Sequence, residues 1–88
     1  MIKPIDVATY NIQFHGNPAF HQNVAWYATT DDRIVGVVVR DLVDNDYSWV
    51  KLIQDADGNY TVADLDASLD TVEQATAELH KAMEQSNG

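Results

Sequence analysis

The chain has no cysteine among its 88 residues. Disulfide staples and thiolate chemistry are therefore excluded, and the composition fits a reducing compartment such as the cytoplasm. Bases are scarce: five Lys and Arg stand against fourteen Asp and Glu, for a formal net charge of -9. Charge of this sign repels nucleic acid and anionic lipid and attracts basic surfaces, so direct nucleic-acid or membrane binding is not expected. No stretch approaches the roughly 20 apolar residues of a membrane span. Met1-Ile2-Lys3-Pro4 is not followed by the apolar run of a signal peptide. A Gly-rich phosphate loop, a nucleophile elbow and a Ser/His/Asp arrangement are also missing. Neither catalysis nor a cofactor is expected.

What is present is an ordinary globular content, 45% hydrophobic, in a length that builds one modest core and reads as a single domain over residues 1–88. Repeats, linkers and low-complexity segments are not evident. The charge is unevenly placed. Residues 1–40 balance three acids (Asp6, Asp31, Asp32) against three bases (Lys3, Arg33, Arg40), whereas residues 41–88 hold eleven acids and only Lys51 and Lys81.

The fold class read from the pattern is α+β: an antiparallel meander of four to five strands, about 7–14, 24–29, 34–41, 47–54 and 60–66, with a C-terminal helix over about 71–85 packed on one face. Residues 7–14 alternate, with Ala8, Tyr10, Ile12 and Phe14 on one side, as a half-buried strand does. His15-Gly16-Asn17-Pro18 ends that pattern, and residues 15–23 read as a loop or a helical turn. Three turn signals follow: Asp31-Asp32, Asp44-Asn45 and Asp57-Gly58. Two-residue turns at each would pair Trp26 with Val37, Val24 with Val39, Val39 with Val50, Arg40 with Trp49, Lys51 with Asp64 and Leu52 with Ala63. These registers agree on one uncharged face, which includes Val24, Trp26, Val35, Val37, Val50 and Leu65. In the C-terminal segment Thr71-Val72-Glu73-Gln74 fits a capping box. Val72, Ala75, Leu79, Ala82 and Met83 form an apolar stripe, expected to lie on the uncharged sheet face.

Chemistry-bearing constellations are weak. Asp55-Ala56-Asp57-Gly58-Asn59 resembles the start of a calcium loop, but Tyr60 stands where that loop needs Gly, and Asp66 where it needs a long-reaching Glu. A hairpin turn explains the same residues. His15 and His21 flank a Gly-Asn-Pro loop without a nameable third ligand. Acid pairs such as Asp44/Asp46 and Asp64/Asp66 sit at or near turns, where water keeps them ordinary. The sheet face carrying Tyr27, Arg40, Trp49 and Lys51 is partly apolar with embedded charges, a hot-spot composition; it reads as a face covered by the N-terminal strand and loop, a homodimer contact, a site where Arg40 stacks on Trp49, or a partner surface.

Small, acidic, cysteine-free domains of this architecture are similar in size and charge to inhibitors carried by phages and mobile elements, of the anti-CRISPR and anti-restriction type. That resemblance implies a cytoplasmic, non-catalytic module that binds a basic protein surface. Asp41, Asp44, Asp46, Asp55, Asp57, Asp64 and Asp66 would then stand in for phosphates, although the 41–46 and 55–59 turns fall at opposite sheet ends. Two alternatives are a homodimeric structural or accessory protein joined through the Tyr27/Trp49 face, and a small ligand-binding protein or enzyme using the 15–21 loop.

Overall fold

Ile34-Val35-Gly36-Val37-Val38-Val39 is apolar without alternation, and it forms the middle strand of the molecule. The structure, a computed structural model, describes residues 2–10, 12 and 20–84. Five strands, β1 (Ile2–Pro4), β2 (His21–Thr29), β3 (Ile34–Asp41), β4 (Tyr47–Gln54) and β5 (Tyr60–Leu69), form one antiparallel sheet in chain order. A single helix, α1 (Val72–Glu84), packs against it, so the fold is α+β as expected. No helix among the described residues is long and apolar enough to cross a membrane.

Both faces of β3 are covered, which is why residues 35–39 are all buried. On one face Val35, Val37 and Val39 join Ala28, Val50 and Leu52, with Ile5, Tyr10, Ile12, Trp26 and Tyr60 packed against them. On the other, Val38 and Trp49 join Leu69, Ala75, Leu79 and Met83. The helix therefore lies on the Tyr27/Trp49 face, not on the uncharged valine face where the sequence reading placed it. The reason is Gly36. A Cβ built there would stand 2.5 Å from Leu79 Cδ1 and 2.8 Å from Met83 Sδ. A missing side chain opens the groove that α1 occupies. The valine face is instead met by the N-terminal segment.

That segment is not the expected strand over 7–14. Val7–Thr9 is a short 3-10 helix capped by Asp6, whose Oδ1 accepts from the Ala8 amide at 3.0 Å. The first strand is β1, with Ile2 opposite Thr29 and Pro4 opposite Tyr27. The alternation arises because Tyr10 and Ile12 turn toward the sheet without pairing to it. Residues 11, 13 and 14 of the expected strand, and the His15–Pro18 turn, lie outside the described residues.

The registers hold in part. Trp26 faces Val37, Tyr27 faces Gly36 and Ala28 faces Val35, but a bulge at Val24 puts Asn23, not Val24, opposite Val39. Between β3 and β4 the pairing is displaced by two residues: Val37 meets Val50, Val38 meets Trp49 and Arg40 meets Tyr47. Arg40 is therefore not beside Trp49. The connection is a four-residue loop, not a two-residue turn. The Asp41 amide donates to the Asp46 carbonyl at 2.8 Å, the Asp41 carboxylate accepts from the amides of Val43 and Asp44, and Asn45 takes a positive φ of 57°. A shift of two preserves which face each side chain occupies.

Between β4 and β5, Lys51 faces Asp64 and Val50 faces Leu65, as expected. Leu52 meets Val62 in place of Ala63. A three-residue loop with Gly58 at φ 85° displaces the register by one, and a bulge at Ala63 restores it. The helix begins where the capping box placed it: Thr71 Oγ1 accepts from the Gln74 amide at 3.1 Å. Ala75, Leu79 and Met83 are its buried stripe.

Gly36→Ala should destabilise the fold by about 1–3 kcal/mol through overpacking, read as a lower urea midpoint. The loss should shrink in a Leu79→Ala background, since the two positions meet. A neutral Gly36→Ala would show that the Leu79 and Met83 side-chain ends move aside for the added Cβ and that overpacking there costs nothing.

Candidate partner-binding surface

The patch read from the sequence is not an open surface. Trp49 is 6% exposed, beneath α1 with Leu69, Ala75 and Leu79, and its indole Nε1 is buried without a hydrogen-bond partner among the described residues. Tyr27 is edge-on to the His80 ring, with centroids 4.6 Å apart. Lys51 is half-buried between Gly36 and Asp64. Arg40 donates from Nη2 to Asn45 Oδ1 at 2.8 Å and borders a niche of about 280 Å³ with Gln22, Asn23, Val24, Tyr47 and Val72. The sequence signals missed were the non-alternating apolar run 34–39 and the glycine inside it. Both say that two layers cover this strand.

The carboxylates divide by what they touch. Asp55 accepts from the amides of Asp57 and Asn59, so it shapes its loop. Asp41 does the same in the preceding loop, and the donated Asp44 and Val43 amides hold its carboxyl below the ordinary range. Asp31 accepts from the Thr29 hydroxyl and the Arg33 amide, and its carboxyl is lowered for that reason. Asp44 and Asp57 are exposed at opposite ends of the sheet, and Asp46 is half-buried beside Tyr47. Asp64 and Asp66 lie in the middle of β5, both exposed. The Oδ1 of each accepts from the next amide along the chain, at 2.9 and 2.8 Å.

The strand β5 is the most open part of the sheet. Its residues Thr61 to Ser68 are all exposed, including Val62 at 50% and Leu65 at 57%. It is the terminal strand, so it shows one row of backbone groups outward. From Tyr60 to Glu73 the chain has four acids (Asp64, Asp66, Asp70, Glu73) and no Lys, Arg or His. A second exposed apolar group, Phe20, Leu42 and Val43, sits at one sheet end, where the Leu42 amide donates to the Phe20 carbonyl at 2.8 Å. Of the histidine pair, His21 opens β2 opposite Asp41, and His15 lies outside the described residues.

One polar cluster escaped the sequence reading because its members are far apart in the chain. Asp32, at φ 62° in the β2–β3 turn, accepts from the Tyr10 hydroxyl at 2.6 Å and pairs with Lys3 Nζ at 3.1 Å. Its backbone carbonyl accepts from the Tyr60 hydroxyl at 2.6 Å. The two tyrosine rings meet edge to face, 6.4 Å apart, beside a groove of about 490 Å³ bordered by Thr9, Gln54 and Gly58. The bond from Tyr10, then the Lys3 ammonium, hold the Asp32 carboxyl below its ordinary range. The same bond, with desolvation behind it, pushes Tyr10 up to about 12. Across neutral pH, Asp32 stays ionised and Tyr10 keeps its proton, so the cluster acts as a strap on the N-terminal segment.

The two shifts give opposite pH limits. The depressed Asp32 contributes stability above the ordinary carboxylate range, near pH 4, and loses it as pH falls through that value to the lower native one. The raised Tyr10 contributes stability below about pH 10 and loses it as pH rises toward its native value of about 12. Tyr10→Phe should therefore lower the urea midpoint at pH 7. The gap to wild type should close at both extremes. A gap constant from pH 3 to pH 12 would show that the strap's stability does not come from this bond. No family model, curated protein or solved structure matches this chain.

Proposed function

We propose that the protein is a non-catalytic acidic binding module that engages a basic surface on a protein partner. The observation that carries this reading is the stretch from Tyr60 to Glu73, where four exposed acids follow one another with no base among them. Asp31, Asp32, Asp41 and Asp55 are committed to the chain's own turns. Asp64 and Asp66 each accept from the next amide along the strand but close no turn, and with Asp70 and Glu73 they are exposed on or beside one edge of the sheet. Electrostatic complementarity of this kind sets encounter rate and partner choice.

The reading extends to the inhibitor class that size and charge suggest, in which acids of a phage or mobile-element protein occupy the nucleic-acid-binding surface of a defence complex. Asp64 and Asp66 then become the central phosphate substitutes, with Asp57 at one end of the row and Asp70 at the other. The homodimer reading draws no support from Tyr27 and Trp49, which the helix covers.

Asp64→Lys with Asp66→Lys tests the proposal. Both residues are exposed, so the fold should persist. Used as bait in extract of the source cell, wild type should retain a basic protein that elutes as salt shortens the Debye length to about 5 Å or less. The double variant should retain none of it. Equal retention by wild type and double variant would sink the acidic-edge reading, whereas an Asp44→Lys bait should behave as wild type.

A further inference from the structure

We infer that the outer edge of β5 is a docking strand, which takes up a short extended segment of the partner as a sixth strand. This deepens the acidic-module reading and rests on it. At ten residues β5 is the longest strand of the sheet, and no described element pairs with its outer side. The opposite terminal strand, β1, has three residues and is tied down by Lys3 and Asp32. An exposed edge of this kind is a template for another strand; the Leu65 and Ala67 amides bond locally to Asp64 and Asp66 Oδ1, and a docking strand replaces those two bonds as its basic side chains draw the carboxylates to themselves.

The two faces of β5 specify what that strand carries. Val62 and Leu65 stand opposite Leu52 and Val50, so they share the valine face, yet half of each is open to water. Asp64 and Asp66 stand opposite Lys51 and Trp49, so they share the helix face. Side chains of an added strand alternate between the same two faces. Its helix-side positions meet carboxylates and call for Lys or Arg. Its other positions extend the row from Val50 and Leu52 through Leu65 and Val62, and call for Val, Ile or Leu. The occupant is therefore a segment in which basic and aliphatic residues alternate.

The bulges limit its length. Register breaks at Ala63 and at Ala67–Ser68 leave Tyr60–Val62 and Asp64–Asp66 as the regular stretches, so a long flat strand does not fit. A second copy is disfavoured as well. Two β5 edges would bring their own rows of Asp64 and Asp66 together, between chains that each carry -9.

The probe is a capped octapeptide of alternating Lys and Val, with a Lys–Ser octapeptide of equal charge as control. Binding is read by titration, and its place by amide shifts and hydrogen exchange at Thr61–Asp66. The Lys–Val peptide should slow exchange along β5 and bind about tenfold tighter than Lys–Ser. Val62→Ser with Leu65→Ser, both exposed, should weaken it by about tenfold, as expected for losing two partly buried aliphatic contacts. Equal binding of the two peptides would overturn the docking strand while leaving a purely electrostatic acidic module standing. Failure of the Lys–Val peptide to bind, or shifts away from β5, would also overturn it. So would a dimer mass by light scattering with β5 amides already protected in the free protein, which would make a second copy the occupant.

Discussion

The close approach of α1 to β3 over Gly36 is the constraint on which the rest of the architecture depends. Leu79 Cδ1 lies 2.5 Å from where a Cβ would stand, so the Leu79 and Met83 side chains fill the space that Gly36 leaves open. Once the helix is there, Trp49 and Val38 are core, Leu69 and Ala75 join them, and the two-residue link at Asp70–Thr71 can be short. The helix leaves the valine face to the N-terminal segment, and β3 becomes a strand buried on both sides. Close packing over that glycine thus accompanies the layer order of the sheet and helix.

The acids do two physically different kinds of work. In the turns, carboxylates accept backbone amides that the tight chain reversals leave unpaired, and Asp32 and Asn45 tolerate positive φ where they stand. On β5 the Asp64 and Asp66 carboxylates bond the next amide along an exposed strand and close no turn. A composition-level reading sees one number, the net charge, and cannot separate the two sets. Their separation turns an acidic protein into one with an acidic edge.

Much of the fold was legible in the sequence. Turn chemistry located the three connections and, through them, the four strands β2 to β5 that they join. The capping box fixed the helix start at Thr71. Side-chain parity held across the β3–β4 pair even though the register was displaced by two, because the pleat repeats every two residues. Lys51 opposite Asp64 survived because the three-residue loop and the Ala63 bulge cancel. Arg40 beside Trp49 did not survive, since nothing compensates the longer loop at Asp41–Asp46. The alternation in 7–14 misled because Asp6 captures the Ala8 amide and turns the chain before a strand can form. The candidate surface was half legible: Asp64 and Asp66 are exposed, but Tyr27 and Trp49 lie against a helix whose packing over Gly36 leaves no mark in the side-chain periodicity. Burial of a face is a tertiary property, and a single missing Cβ was its main trace in the chain.

The Asp32 strap also divides the molecule into units of unequal persistence. It joins residues 3, 10 and 32, distant in the chain, through one hydrogen bond and one ion pair near the surface, and beyond it the segment has the short β1–β2 ladder, the Ile5–Trp26 backbone bond and the packing of Ile5, Tyr10 and Ile12, whereas strands β2 to β5 pair over seven residues each. Native-state opening will therefore begin with the N-terminal segment and leave the remaining sheet and α1 intact. In that partly opened form the valine face is bare, next to an already exposed β5. The same fluctuation that frees the segment makes a sticky species, and the net charge of -9 is what keeps such species apart from one another.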